Sequence, residues 1–246
     1  MKNVHFILQG KGGVGKSTIA VLLAQYLKDK GVDFQGVDTD PVNQSFSGFK
    51  ALNAKHLHVL DQGTVNQRRF DALIEEIITS KSDYVIDNGA SSFIPLSSYI
   101  SENKTFDTLK EHGAQVYLHT PVVAGAAMKD SLIGMKAIAD MTSLQNLVVW
   151  ENEYFGTVQH NGTSFEDMPV FKNSASSIMG VIHLKGRTAS TFGGDMKKML
   201  TLNKTFEECL NGDDFFVTEK SRLKIMRDDI YAEINRVGGD VWIPKK

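Results

Sequence analysis

The stretch ILQGKGGVGKSTIA at residues 7–20 decides how the rest of the chain is interpreted. Its residues 10–17, GKGGVGKS, match the pattern G-x-x-x-x-G-K-[ST] and stand between an apolar run at 4–8 and a helical pattern at 17–30. Between a strand and a helix, such glycines allow backbone N–H groups to turn towards phosphate oxygens, and the N-terminus of the helix adds partial positive charge. The stretch therefore predicts a phosphate-binding loop.

Individual residues of this loop have expected contacts with a nucleotide and Mg²⁺. Lys16 should reach the β and γ phosphates, Ser17 should bind Mg²⁺, and Thr18 should contact the α phosphate. The loop backbone would supply the rest of the cradle. The expected nucleotide-binding residues are therefore Gly10, Lys11, Gly12, Gly13, Val14, Gly15, Lys16, Ser17 and Thr18.

The composition excludes several classes of protein. The 246 residues are 41% hydrophobic and 23% charged, and their net charge of −2 gives no bulk attraction to nucleic acid or acidic membranes. The only cysteine, Cys209, excludes an intramolecular disulfide and a cluster held by several thiolates of one chain, and it fits a reducing cytoplasm. No apolar run approaches the ~20 residues of a membrane span, and the run at 4–8 is too short for a signal-peptide core.

Alternating apolar runs and helical patterns predict the fold class. The apolar runs lie at 4–8, 33–38, 56–60, 83–87, 114–120, 146–150 and 179–184. The clearest helical patterns lie at 17–30, 67–80, 127–142, 189–200 and 216–236. Strands that are apolar throughout and alternate with helices indicate a mostly parallel sheet with helices on both faces. We therefore expect one α/β domain over residues 1–246, with a P-loop fold of about seven strands and functional residues at their carboxyl ends.

The second lysine of the loop, Lys11, is one more than phosphate binding requires. Its position resembles the deviant Walker A motif, KGGxGK[ST], of the ParA/MinD family of ATPases. In that family this lysine crosses a dimer interface and contacts the nucleotide of the partner subunit. The resemblance implies an ATP-dependent homodimer with catalytic roles for Lys11 and Lys16, since a cation supplied in trans can neutralise charge on the transferred phosphoryl group. The alternative is a solvated surface lysine.

Aspartates at two strand ends extend the resemblance. DTDPVN at 38–43 resembles the switch I segment of the family, which implies that Asp40 orients the attacking water and that Asp38 supports Mg²⁺ or its waters. VIDNGASS at 85–92 resembles the Walker B strand and switch II, which implies that Asp87 is linked to Mg²⁺ through water. From the residues alone, these carboxylates could instead belong to a proline turn and a helix cap.

The chain departs from the family pattern in one segment and matches it at one further position. The family more often carries a proline-containing stretch where this chain has NGAS, which leaves the role of Asn88 open. Asn152 follows the run at 146–150, where the family commonly places an asparagine against adenine, although asparagine is also a usual loop residue.

The pair His56 and His58 is expected to be structural, because no further ligand lies nearby in sequence. No metal other than Mg²⁺ is predicted.

The resemblance also implies a cellular role. The strongest resemblance is to the conjugal-transfer proteins of broad-host-range plasmids, and a weaker one is to the related plasmid-stability ATPases. The segments that carry it are LQGKGGVGKS, DTDPVN, VIDNGASSF, VVWEN and the closing RLKI. The expected function is a slow, partner-stimulated ATPase that switches with Mg²⁺-ATP. Two other classes remain open. A metabolic ligase similar to dethiobiotin synthetase would not need Lys11, and an iron–sulfur carrier would need more thiolates than Cys209 supplies.

The predicted closing helix bears on the partners. Its apolar stripe is Leu223, Met226, Ile230 and Ile234, and its basic edge is Lys220, Lys224 and Arg227. Acidic residues in the same helix bring its net charge close to zero, and three cations are few beside the 6–10 phosphate contacts of strong DNA binding. We expect weak or no direct DNA binding and recruitment through a protein partner. The tail at 238–246 is interrupted by Pro244, so membrane insertion is not expected.

Overall fold

The computed structural model describes residues 1–243, and Pro244 with the last two lysines lies outside the described residues. The α-helices are α1 (Lys16–Asp29), α2 (Arg68–Thr79), α3 (Phe93–Glu102), α4 (Thr105–Glu111), α5 (Met128–Ala139), α6 (Pro169–Lys172), α7 (Phe192–Thr201), α8 (Phe206–Asn211) and α9 (Val217–Trp242). The strands are β1 (Lys2–Ile7), β2 (Phe34–Asp38), β3 (Lys55–His56), β4 (Leu60–Asp61), β5 (Thr64–Val65), β6 (Asp83–Asp87), β7 (Ala114–Val123), β8 (Leu147–Asn152), β9 (Gln159–His160), β10 (Thr163–Ser164) and β11 (Ile178–Leu184).

Seven strands form the main sheet, in the order β11-β8-β7-β1-β6-β2-β3, and every neighbouring pair is parallel. The expected α/β class with about seven strands is therefore confirmed. The run at 56–60 does not form one strand as expected. Its first part ends in β3, whereas β4 pairs with β5 in a hairpin whose turn residues, Gln62 and Gly63, both have positive φ. Such a turn reverses the chain and ends the pairing with the main sheet.

Helices cover both faces of the sheet, because side chains of a strand alternate between the two faces. Val4 and Phe6 of β1 pack in a core with α2, α3, α4 and α5. Ile7 of the same strand packs in the opposite core, which includes Ile19 of α1 and Ile234 of α9. Of the predicted stripe of the closing helix, Ile234 packs in this second core. Leu223 and Met226 are buried in a third cluster, which includes Leu22 of α1 and Met199 of α7.

The closing helix is longer than expected, because α9 continues past residue 236 to Trp242. Gly238 and Gly239 suggest a helix end in the sequence. In the structure, a Cβ on Gly238 would lie only 2.1 Å from the ring of the fully buried Trp242, so glycine makes room for that ring. Burial of the indole therefore stabilises the last turns. None of the helices described over residues 1–243 is both long and apolar enough to cross a membrane.

A buried aromatic network lies under the end of α9, where Trp242 contacts His5 and His119 at ring-centroid distances of 5.0 and 5.4 Å. Trp150 Nε1 donates to His119 Nδ1 at 3.0 Å, so the proton of the neutral His119 ring is on Nε2. That Nε2 lies 3.0 Å from His5 Nδ1 and donates to it. Burial lowers the pKa of His5 to about 3, and burial together with His5 lowers the pKa of His119.

The lowered pKa of His5 predicts a loss of stability in acid. Below about pH 6.5 His5 is protonated in the unfolded chain, whereas in the folded chain it stays neutral down to about pH 3. The contribution of neutral His5 to the free energy of unfolding is therefore fully present above pH 6.5 and decreases as the pH falls towards 3. His5→Asn keeps an acceptor at the place of Nδ1 and removes the titration. In urea denaturation between about pH 4 and 7, the free energy of unfolding of His5→Asn should depend less steeply on pH than that of wild type. The difference in slope should be up to about 1.4 kcal/mol per pH unit. Equal slopes would contradict this assignment.

Candidate functional site

Most of the predicted site residues meet at the carboxyl edge of three adjacent strands, β1, β6 and β2. Ile7 of β1 lies opposite Asp87 of β6, and Asp87 lies opposite Asp38 of β2. Three segments therefore leave the sheet side by side. They are the phosphate loop at 8–15, the switch I loop at 39–47 and the switch II segment at 88–92. Parallel strands bring these segments together although they are far apart in sequence.

The phosphate loop ends directly in α1, which begins at Lys16 with Gly15 as its N-cap. Gly13 and Gly15 have φ values of 74° and 101°, a region that side-chain-bearing residues adopt at a cost. Asn152 Nδ2 donates to Val14 O at 3.1 Å and lies 2.8 Å from the place of a Cβ on Gly15. A side chain at position 15 would therefore be both strained and in collision.

Gln9 is a site residue that the sequence did not indicate. It is fully buried, and its Nε2 donates to the backbone oxygens of Pro121 and Ser131 at 3.2 and 3.0 Å. Its Oε1 accepts from Lys11 N at 3.3 Å. A Cβ on Gly134 of α5 would lie 1.8 Å from this oxygen, so the amide fills the space above that glycine. Gln9 thus fastens the start of the phosphate loop to β7 and α5.

The two lysines of the loop lie in different surroundings. Lys16 is buried, and its Nζ donates to Lys11 O at 3.1 Å. Burial lowers the pKa of Lys16, while Asp87 and Asp40 raise it. The Lys11 side chain points outward instead, and its Nζ pairs with Asp130 of α5 at 2.8 Å in an exposed ion pair. The hydrogen bond from Lys11 holds the pKa of Asp130 below its usual range.

Asp87 has the surroundings expected of a ligand for a metal ion. It is buried, and neither carboxylate oxygen has a hydrogen-bond partner within residues 1–243. Burial raises its pKa to about 7, and Asp38 acts in the same direction, while nearby Ser17 and Lys16 oppose them. A buried carboxylate beside a hydroxyl offers the oxygen ligands that Mg²⁺ prefers. Asp87 and Ser17 therefore fit Mg²⁺, which is the cation that the loop sequence implies.

The carboxylate of Asp38 binds its own loop. Its Oδ1 accepts from Asp40 N at 3.1 Å, and its Oδ2 accepts from Phe46 N and from the N and Oγ of Ser47 at 3.1, 3.0 and 3.1 Å. Asp38 thus ties together the two ends of the switch I loop. Its link to Mg²⁺ stays a prediction, and the contacts present in the structure give it a structural task.

Asp40 stands at the head of the switch I loop, with its Oδ1 accepting from Val42 N and Asn43 N at 2.9 and 3.1 Å. Gly89 of the switch II segment packs against it so closely that a Cβ there would lie 2.7 Å from Asp40 Cγ. The structure thus brings Asp40 to the edge shared with Lys16. Its role towards water stays a prediction.

Asn88 joins the two switch segments. It is buried, and its Oδ1 accepts from Thr39 Oγ1 and Ser92 Oγ at 3.1 and 2.9 Å. Its Nδ2 donates to Gly89 O at 3.0 Å. The sequence left the role of Asn88 open, because its partners are identified only when β2 and β6 are paired. The amide links the beginning of the switch I loop to the switch II segment.

Asn152 and the histidine pair also lie at this edge. Asn152 uses both side-chain polar atoms on the protein, because its Oδ1 accepts from Tyr154 N at 3.1 Å while its Nδ2 binds the phosphate loop. Contact with adenine therefore stays a prediction. His56 and His58 meet edge to face at 4.4 Å. Over residues 1–243, no group of three or more His, Cys, Asp or Glu side chains is arranged to hold a metal ion.

Comparison with known proteins agrees with this geometry. A family model described as the CobQ/CobB/MinD/ParA nucleotide binding domain matches residues 5–233. Two Escherichia coli proteins, each called Protein TraL, are 40% and 39% identical to this chain, covering 96% and 95% of it and 98% of each relative. The MinD cell division protein of Aquifex aeolicus superposes with a TM-score of 0.54 at 14% identity, covering 94% of this chain and 97% of that one. At this identity the likeness shows the fold alone.

Asn88→Ala tests the link between the switch segments. The change removes the bonds to Thr39 and Ser92, although each hydroxyl keeps a backbone oxygen as a second acceptor at 3.0 and 3.1 Å. We expect the free energy of unfolding, measured by urea denaturation, to fall by about 1–2 kcal/mol. Ser91→Ala is the matched control, because Ser91 is exposed and its loss should cost less than about 0.5 kcal/mol. A loss for Asn88→Ala as small as that of the control would contradict this role.

Proposed function

The chain belongs to the CobQ/CobB/MinD/ParA family of nucleotide-binding domains, as its loop sequence predicted. On this premise we propose that it is a Mg²⁺-dependent ATPase that dimerises when ATP is bound and serves plasmid conjugal transfer or maintenance. The observation that carries the proposal is the buried Asp87 carboxylate, which has no hydrogen-bond partner in the described chain and lies near Lys16 and Ser17. A metal-bound nucleotide would compensate this buried charge.

Each part of the site has a task in hydrolysis. The N–H groups of the phosphate loop and Lys16 would bind the β and γ phosphates, where phosphate oxygens replace the Lys16 bond to Lys11 O. Ser17 and Asp87 would hold Mg²⁺, with Asp38 as the further predicted contributor, and bound Mg²⁺ would neutralise negative charge on the phosphates. Asp40 would orient the water that attacks the γ phosphate.

Lys11 would act on the nucleotide of the other subunit. Its present pairing with Asp130 is exposed, and exposed ion pairs contribute little to stability, so the lysine can leave Asp130 at small cost. Apolar side chains around the site offer surface for a dimer, because Val42, Ile94 and Tyr154 are 74%, 73% and 68% exposed. Burying them between two copies would contribute favourable free energy.

The cellular role rests on similarity. TraL is the conjugal-transfer group that the sequence motifs resemble, and the two TraL relatives match along almost their full length. We propose that the chain acts in the cytoplasm as a single ATPase domain, with slow turnover that a protein of the plasmid machinery stimulates. The basic edge of α9 supports recruitment by protein more than by DNA, since Arg227 already donates to Asp228 at 3.0 and 2.8 Å.

The two loop lysines provide a matched pair of variants. Lys16→Ala should abolish Mg²⁺-ATP binding in calorimetry, because the phosphates lose the inward-facing cation of the loop. Lys11→Ala should retain binding but lose hydrolysis and ATP-dependent dimerisation, measured by sedimentation with a slowly hydrolysed analogue. Wild-type affinity in Lys16→Ala, or a Lys11→Ala protein that dimerises and hydrolyses ATP normally, would contradict the assigned roles.

The charge of α9 predicts weak binding of duplex DNA. Strong non-specific binding involves roughly 6–10 phosphate contacts, and the basic edge offers only Lys220, Lys224 and Arg227. Filter binding at about 0.1 M salt should show little retention of random-sequence duplex by the ATP-bound protein. Tight, ATP-dependent retention that is lost when these three residues are changed to glutamine would contradict the prediction.

A further inference from the structure

His56 lies on the edge strand β3, beside the start of the switch I loop. β3 pairs with β2 so that His56 is opposite Asp38, and Leu57 N donates to Asp38 O at 2.8 Å. In this register, His56 Nε2 lies 3.0 Å from the backbone oxygen of Asp40. A carbonyl oxygen only accepts, so Nε2 carries a proton and donates it.

This hydrogen bond fixes a peptide group that can form few other hydrogen bonds. Residue 41 is proline, so the peptide between Asp40 and Pro41 has no N–H, and its carbonyl is its only hydrogen-bonding group. The neighbouring peptide is fixed, because Asp40 N donates to Asp38 Oδ1 at 3.1 Å. His56 therefore supplies the hydrogen bond that fixes the backbone on the far side of Asp40.

The orientation of the Asp40 carboxylate depends on that backbone. Its Oδ1 is committed to Val42 N and Asn43 N, and its Cγ rests against Gly89. This arrangement leaves Oδ2 as the oxygen that can meet a water molecule. A rotation of the Asp40–Pro41 peptide would move both oxygens, and misplacing a catalytic group by about 1 Å can cost ~100-fold in rate.

We propose that His56 is a positioning residue for ATP hydrolysis, which acts by fixing the Asp40 backbone and, through it, the carboxylate that orients the attacking water. The inference rests on the proposed ATPase function. It also accounts for the imidazole itself. His56 Nδ1 is buried without a hydrogen-bond partner in the described chain, so a side chain present only to fill space would be better apolar. The bond from Nε2 is what an imidazole adds here.

The test compares variants whose side chains place a hydrogen-bond donor at the position of Nε2, at the position of Nδ1, or at neither. Glutamine places its amide nitrogen near the position of Nε2, asparagine reaches only to that of Nδ1, and leucine donates nothing. We expect His56→Leu and His56→Asn to slow single-turnover hydrolysis about tenfold or more, with Mg²⁺-ATP affinity by calorimetry within about twofold of wild type. His56→Gln should restore most of the rate. His58→Leu is the matched control, because His58 is exposed and its ring packs against His56 without reaching the Asp40 carbonyl in the described chain.

Several outcomes would overturn the proposal. These are a wild-type rate in His56→Leu, a His56→Gln protein as slow as His56→Leu, and a loss of ATP affinity that matches the loss of rate. The double variant Asp40→Ala with His56→Leu should be no slower than Asp40→Ala alone, and a further loss would show that His56 acts elsewhere. If the wild type hydrolyses no ATP, the proposed function itself fails, which differs from an active wild type whose His56→Leu variant is equally active.

Discussion

Parallel pairing of β1 with β6 and of β6 with β2 sets Ile7, Asp87 and Asp38 side by side at one edge of the sheet. The phosphate loop and both switch segments leave the sheet from this row, so their geometry depends on it. The same pairing buries Asp87 between its neighbours and raises its pKa to about 7. A buried carboxylate without a partner destabilises the protein, and a ligand that compensates it gains that free energy in binding.

Side-chain amides fix the loops that surround this row. Gln9 fastens the phosphate loop to β7 and α5, Asn152 fastens the same loop to the end of β8, and Asn88 joins the two switch segments. Each amide uses donor and acceptor atoms at once, which a carboxylate or an ammonium cannot do. A loop held in this way binds phosphate without first having to be ordered, and that lowers the entropic cost of binding.

The sequence predicted features that depend on local spacing and missed those that depend on distant segments. The phosphate loop was predictable because its glycines, Lys16 and the start of α1 are adjacent in the chain. The helix α3 is not among the clearest helical patterns of the sequence, and it contains Pro95, which lies in its first turn, where a proline costs little. Gln9 could not be assigned, since its partners lie more than a hundred residues away and only the pairing of β1 with β7 brings them close.

The central claim is that each active site is completed by Lys11 of the other subunit, and mixing two inactive variants tests it most directly. Lys11→Ala keeps Asp40, and Asp40→Ala keeps Lys11, so each variant alone should be nearly inactive while a mixed dimer contains one complete site. We predict that an equal mixture hydrolyses ATP clearly faster than either variant alone, at up to about one quarter of the wild-type rate. That limit corresponds to random pairing, in which half of the dimers are mixed and each of these has one of its two sites complete, and weaker dimerisation of Lys11→Ala lowers the rate below it. A mixture in which sedimentation shows mixed dimers, yet which is as inactive as either variant alone, would contradict the claim, because it would mean that Lys11 serves its own subunit or none.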